Sequence, residues 1–126
     1  PQLAGSARSE YETAPARLLA ALGGPEFAVL AGVCLGAAEA GSPLILDGLA
    51  TSVAALIATK FSPGLHGWLV ASQASREQVH QIVLAVLGLE ALMKLRMRAG
   101  EGVGACFGAQ MILTGLQVRR TAARTC

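Results

Sequence analysis

Residues 43–71 read PLILDGLATSVAALIATKFSPGLHGWLVA. Pro43 to Leu46 is a short apolar run stopped by Asp47, with the length and bounds of an interior strand. Asp47 is placed to cap a helix over roughly residues 49–60, where apolar and small residues dominate. Ser62-Pro63-Gly64 breaks that helix, and Trp68 to Ala71 forms a second short apolar run. Strand, helix and strand at this spacing make a parallel βαβ unit with a right-handed crossover. The expected fold class is therefore α/β: a helix-rich, Rossmann-like parallel-sheet core with flanking helices.

Upstream, Pro15 to Leu22 reads as a short helix stopped by Gly23-Gly24. Pro25 suits the first turn of a second helix, and Glu26 complements its dipole there. That helix runs to about Ala40 and is apolar on nearly every side, so burial is expected. Gly41-Ser42-Pro43 is a turn. Downstream, Ser75-x-x-Gln78 has the form of a capping box for a helix over residues 76–87, ended by Gly88. Residues 89–99 read as a connector in which Lys94, Arg96 and Arg98 alternate, either as a solvated edge or toward an anionic group. A final helix is expected from about Val103 to Val118. Residues 1–14 form a polar lead-in, 15–118 the domain portion, and 119–126 a basic, frayed tail. Two strands cannot shield both layers of such apolar helices, so the sheet is expected to be an incomplete part of a larger domain, finished by further chain or by a partner.

The 126 residues carry a net charge of +2, with 53% hydrophobic, 14% charged and 4% aromatic residues. That balance excludes disorder, which needs low hydrophobicity and high charge. It leaves no basic footprint or stacking platform for nucleic acid. Mean hydropathy is high at +0.54, yet a spanning helix needs about 20 apolar residues, and charged or polar residues interrupt every candidate run. No membrane association is expected. Cys34, Cys106 and Cys126 show neither a disulfide framework nor a zinc pattern; reduced thiols, two of them buried, are the expectation.

Three features carry chemistry. Asp47 sits at the carboxyl end of a strand, the edge where open α/β sheets collect ligands; it serves as a helix cap, faces a ligand, or does both. Gly100-Glu101-Gly102-x-Gly104 opens a helix. A glutamate inside it argues against a phosphate nest. Flanking glycines let a carboxylate approach a ligand closely, which suits a general base; the alternative is a first-turn glutamate favoured by the helix dipole. Ser75, Glu77 and His80 cluster at one helix start. They are too few for a metal site and too close in sequence for a nucleophile and its base, so capping and hydrogen bonding are their expected roles.

The stretches LLAALGGPEFAVLAGVCLGAAEAGSPLILDGLATSVAALIA, SQASREQVH and LGLEALMKLRMRAGEGVGA together resemble the carboxyl-terminal part of the nicotinate-nucleotide–dimethylbenzimidazole phosphoribosyltransferase family, from about Ala16 to Gln110. The resemblance implies a cytoplasmic homodimer with a parallel-sheet core and a smaller helical domain. It implies transfer of the phosphoribosyl group of nicotinate mononucleotide to 5,6-dimethylbenzimidazole, giving α-ribazole 5′-phosphate and nicotinate, a step in assembling the nucleotide loop of cobalamin. Glu101 matches the family's catalytic glutamate. Asp47, Gly48, Ser75, Glu77, Ala99, Gly100 and Gly102 are the implied substrate-binding residues. The implied chemistry requires no metal or other cofactor.

The sequence departs from the family pattern at several points. Gln73 stands where histidine is usual, Ala99 where a leucine walls the benzimidazole pocket, and Val103 where threonine is common. Lys94 and Arg96 replace aspartate and glycine, and Pro25 an aromatic residue. The family's glycine-rich phosphate-binding segment has no counterpart here. The alternative expectation is thus a catalytically inactive fragment or remnant with only a folding or oligomerisation role.

Overall fold

The computed structural model describes residues 14–95, 97 and 100–122. Helix α1 (Pro15–Leu22) starts on a proline and closes with the Gly23 N–H donating to the Leu19 carbonyl at 2.9 Å. Helix α2 (Pro25–Glu39) also opens on proline with Glu26 in its first turn. It ends in a Schellman motif: Gly41, at φ +68°, donates to Ala38, and Ser42 donates to Ala37. Only glycine enters this left-handed conformation without a Cβ penalty.

Strand β1 (Leu44–Leu46) pairs in parallel with β2 (Leu69–Ala71), placing Leu44 beside Leu69, Ile45 beside Val70 and Leu46 beside Ala71. Between them run α3 (Leu49–Phe61) and a 3-10 turn over Pro63–Trp68. The expected βαβ order is present, although Trp68 belongs to the turn instead of the strand. Past β2 the ladder continues: Leu92 donates to Ala71, Met93 to Ser72, and Ala74 to Met93. The segment after residue 89 is thus partly a sheet edge, bridged at Gln73 and Met93. Helix α4 (Gln78–Val86) ends in a second Schellman motif at Gly88, φ +62°, with Leu89 folding back onto the core.

α3 is the central helix, packed against α2 on one side and α4 on the other. Its Ala54, Ala55 and Ala58 are fully buried, so small side chains set the close approach. Cys34, Leu46, Leu65, Val83 and Leu87 fill the space around them. Burial pushes the Cys34 thiol pKa up, which leaves it as a small core hydrophobe. Cys106 is exposed, so the second buried thiol of the expectation can only be Cys126, which lies outside the described residues.

Other expectations need correction. α2 is not enclosed: Val29 is 66% and Val33 55% exposed, because its contacts with α3, β1 and the 3-10 turn leave these side chains uncovered among the described residues. The last helix, α5 (Val103–Ala122), runs beyond Val118; the Gln-Val-Arg-Arg segment has good helix formers and no breaker. Among the described residues, no helix is long and apolar enough to cross a membrane.

α5 meets the sheet through two glycines one turn apart. A Cβ on Gly108 would lie 2.8 Å from Ser72 Cβ and 3.3 Å from Ile45 Cγ2. Gly115, further along the same helix, has open space instead. Gly108→Ala is therefore expected to destabilise, since overpacking costs about 1–3 kcal/mol against about 1 kcal/mol of helix propensity gained. Gly115→Ala should stabilise by the propensity term alone. Urea unfolding of the two variants beside the parent reads both signs.

Candidate active site

The carboxyl ends of β1 and β2 open into a cleft of about 1120 Å³. Asp47, Gly48 and Thr51 line it from the end of β1 and the start of α3. Gln73, Ser75, Arg76 and Glu77 come from the segment after β2, and Gly100, Glu101 and Gly102 from the turn before α5. Every expected substrate-binding residue among the described ones reaches this cleft, as does Glu101. Ala99, Arg96 and Arg98 lie outside the described residues; Lys94 is exposed.

Asp47 does not cap α3. Its Oδ1 accepts the Ala105 N–H of α5 at 3.0 Å across 58 residues. That satisfies an otherwise unpaired donor at the helix start and sets a carboxylate against the positive end of the dipole. Gly104 permits the contact, since a Cβ there would lie 2.9 Å from Asp47 Oδ1 and 2.8 Å from Gln73 Cγ. Gly48 caps α3, and its N–H donates to Thr51 Oγ1 at 3.1 Å.

Glu101 is exposed on the turn and holds φ +63°, the only non-glycine among the described residues at positive φ; Gly102 follows at +83°. A left-handed conformation costs a residue with a Cβ about 1–2 kcal/mol. Such strain persists where a side chain must be aimed. The turn sets a carboxylate at the mouth of the cleft, able to take a proton from a bound N–H or O–H group.

The expected capping box at Ser75 and Gln78 does not form. α4 begins at Gln78 with Glu77 as its cap residue. Ser75 Oγ instead donates to Glu77 Oε2 at 3.3 Å, and the Ser75 N–H donates to His80 Nδ1 at 3.0 Å. His80 is 1% exposed, and its Nε2 lies 3.0 Å from Ser52 Oγ. A main-chain N–H can only donate, so Nδ1 is bare and the ring proton sits on Nε2. Burial lowers the imidazole pKa, while the Glu77 carboxylate pulls it partly back.

Gln73, Thr51, Arg76, Phe27 and Met97 also line the cleft, and sequence reasoning did not select them as site residues. Gln73 had a signal, its departure from the family's usual histidine. It is 3% exposed, and its buried Oε1 has no hydrogen-bond partner among the described residues. The others reach the cleft only through packing. Among the described residues, no three His, Cys, Asp or Glu side chains gather closely enough to hold a metal ion.

Two measurements follow from this geometry. Glu101→Gly is expected to raise stability by up to about 1 kcal/mol, the released strain less the entropy cost of glycine. Glu101→Ala, which keeps the strain, should not gain; equilibrium urea curves separate the two. His80 has a folded-state pKa below its ordinary 6.5. The unfolded chain therefore binds the extra proton first, and stability falls as pH drops from that value toward the folded one. The urea midpoint should decline over that acid window, and His80→Asn should flatten the decline.

A family profile described as phosphoribosyltransferase matches residues 3–125. The nicotinate-nucleotide–dimethylbenzimidazole phosphoribosyltransferase of Mycobacterium tuberculosis is 46% identical over 99 residues, covering 79% of this chain and 27% of that protein. The Desulforudis audaxviator protein of the same name is 40% identical over 105 residues, covering 83% of this chain and 30% of its own length. The crystal structure of the Thermus thermophilus protein superposes with a TM-score of 0.74 at 41% identity, over 77% of this chain and 29% of that one. The chain thus spans less than a third of these relatives' lengths. It belongs to the nicotinate-nucleotide–dimethylbenzimidazole phosphoribosyltransferase family.

Proposed function

We propose that the cleft serves phosphoribosyl transfer from nicotinate mononucleotide to 5,6-dimethylbenzimidazole, with Glu101 as general base. The observation that carries this reading is the Glu101 carboxylate on a strained turn at the mouth of the cleft. One benzimidazole nitrogen attacks C1′ of the ribose as the C1′–nitrogen bond to nicotinate breaks. The leaving pyridinium takes that electron pair and departs as neutral-ring nicotinate. Positive charge on the attacking ring acidifies the remaining N–H, and Glu101 takes its proton, an effect worth about 10²–10⁴-fold. Phe27 and Met97 supply apolar lining for a flat ring, and orientation in the cleft supplies further rate.

Asp47, Gly48, Ser75, Glu77, Ala99, Gly100 and Gly102 are the proposed substrate contacts. The working state would be a cytoplasmic homodimer, the reaction a step in cobalamin nucleotide-loop assembly, with no metal or other cofactor. A second reading has its own support: these 126 residues are a catalytically inactive fragment or remnant that supplies only a folding or oligomerisation core. Large apolar side chains stand exposed on α2, α4 and α5, Val118 at 63% and Ile82 at 62% among them, and the chain spans less than a third of its relatives.

The test is a chromatographic assay with both substrates, run on the chain alone and on the chain supplemented with the remaining part of a relative's domain. Product is expected in at least the second case. Glu101→Gln should lower turnover by about 10²–10⁴-fold while dimethylbenzimidazole still binds. Full turnover in that variant would remove Glu101 as the base, and absence of product in both cases would leave the inactive-core reading.

A further inference from the structure

We propose that His80, which touches no substrate, is the positioning residue of the cleft: its Nε2-protonated ring ties the segment carrying Ser75 and Glu77 to the first turns of α3. Both tied pieces line the cleft. Ser75 and Glu77 belong to one, Gly48 and Thr51 to the other, and Ser52 is the next residue along α3. The imidazole spans them, with the Ser75 N–H on one nitrogen and Ser52 Oγ on the other, each at 3.0 Å. Ser52 is fully buried and His80 nearly so, so water does not substitute for either bond.

An apolar side chain of similar size would pack there, but it would leave a main-chain donor and a hydroxyl without partners. A ring nitrogen that accepts, opposite one that donates, serves both, and neutral histidine offers that pair on one rigid plane. The wall it holds is anchored on its near side by the Ala74 N–H on the Met93 carbonyl and by the bridge at Gln73. Ser75 precedes the first turn of α4 without capping it, and among the described residues its hydroxyl is engaged only with the exposed Glu77 carboxylate. Moving Ser75 would move the Glu77 carboxylate with it.

The test separates the two nitrogens. In the parent protein, ¹⁵N spectra of the imidazole at neutral pH should show a protonated Nε2 and a bare Nδ1; the opposite tautomer or an imidazolium would overturn the proposal without any variant being made. His80→Asn places a carboxamide oxygen near the Nδ1 position and keeps the Ser75 bond. His80→Gln reaches toward Ser52 and gives up Ser75. Each variant loses one of the two bonds, so their urea midpoints should be similar. Exchange of the Ser75 amide proton should be about tenfold faster in the Gln variant, and near parental in the Asn variant, the ratio one net hydrogen bond supports. Equal exchange in parent, Asn and Gln forms would overturn the proposal. Only the ligand arm rests on the phosphoribosyl-transfer reading: dimethylbenzimidazole affinity, by titration, should fall in both variants, since each cuts one end of the tie. Failure of the parent to bind dimethylbenzimidazole would count against that reading, while amide exchange would still decide the role of His80.

Discussion

The hydrogen bond from the Ala105 amide to Asp47 Oδ1 holds the start of α5 on the end of β1, and the cleft takes its shape from that joint. It helps to fix the turn carrying Glu101 relative to the strands. The bond is charge-assisted and lies at the positive end of a helix, where a carboxylate is most favoured. Van der Waals contact reinforces it. Gly104 and Gly108 let the helix backbone come within a Cβ's distance of Asp47, Gln73 and Ser72, which neither position would allow with a larger residue.

The polar groups around this joint fall into three energetic states. His80 is buried and fully paired, with desolvation holding it neutral. Gln73 is buried with its Oε1 unpaired among the described residues, an arrangement that costs about 1–3 kcal/mol of stability. Glu101 is exposed but conformationally strained. The paired group braces the cleft, while the two costly ones line it. Local rules of stability are broken where a ligand would sit, the usual place for such departures.

The hydrophobic content is larger than this fold encloses. Small residues dominate the interior, where the alanines of α3 meet α2, α4 and the sheet. The bulky side chains stand on the outer faces of α2, α4 and the far half of α5. A two-stranded sheet has too little width to cover helices on both sides, so the outer apolar stripes of these helices find no partner among the described residues.

Local sequence fixed a great deal. Pro15, Pro25, Gly41 and Gly88 mark helix ends because ring geometry and the missing Cβ act within a few residues, and the apolar runs at 44–46 and 69–71 are strands because they are short and bounded. Glu101 between glycines was legible as a candidate base from its neighbours alone. What the sequence could not decide was which helix Asp47 would cap, since the choice between α3 and α5 depends on a residue 58 positions away. Nor could it show that Ser75 would bind His80 in place of forming a capping box, because a buried imidazole competes for the same amide only once α3 has packed against α4. Local geometry is set by each residue's own torsional and hydrogen-bonding limits; partner choice among polar groups is set by the packing that brings distant groups together and removes water from between them.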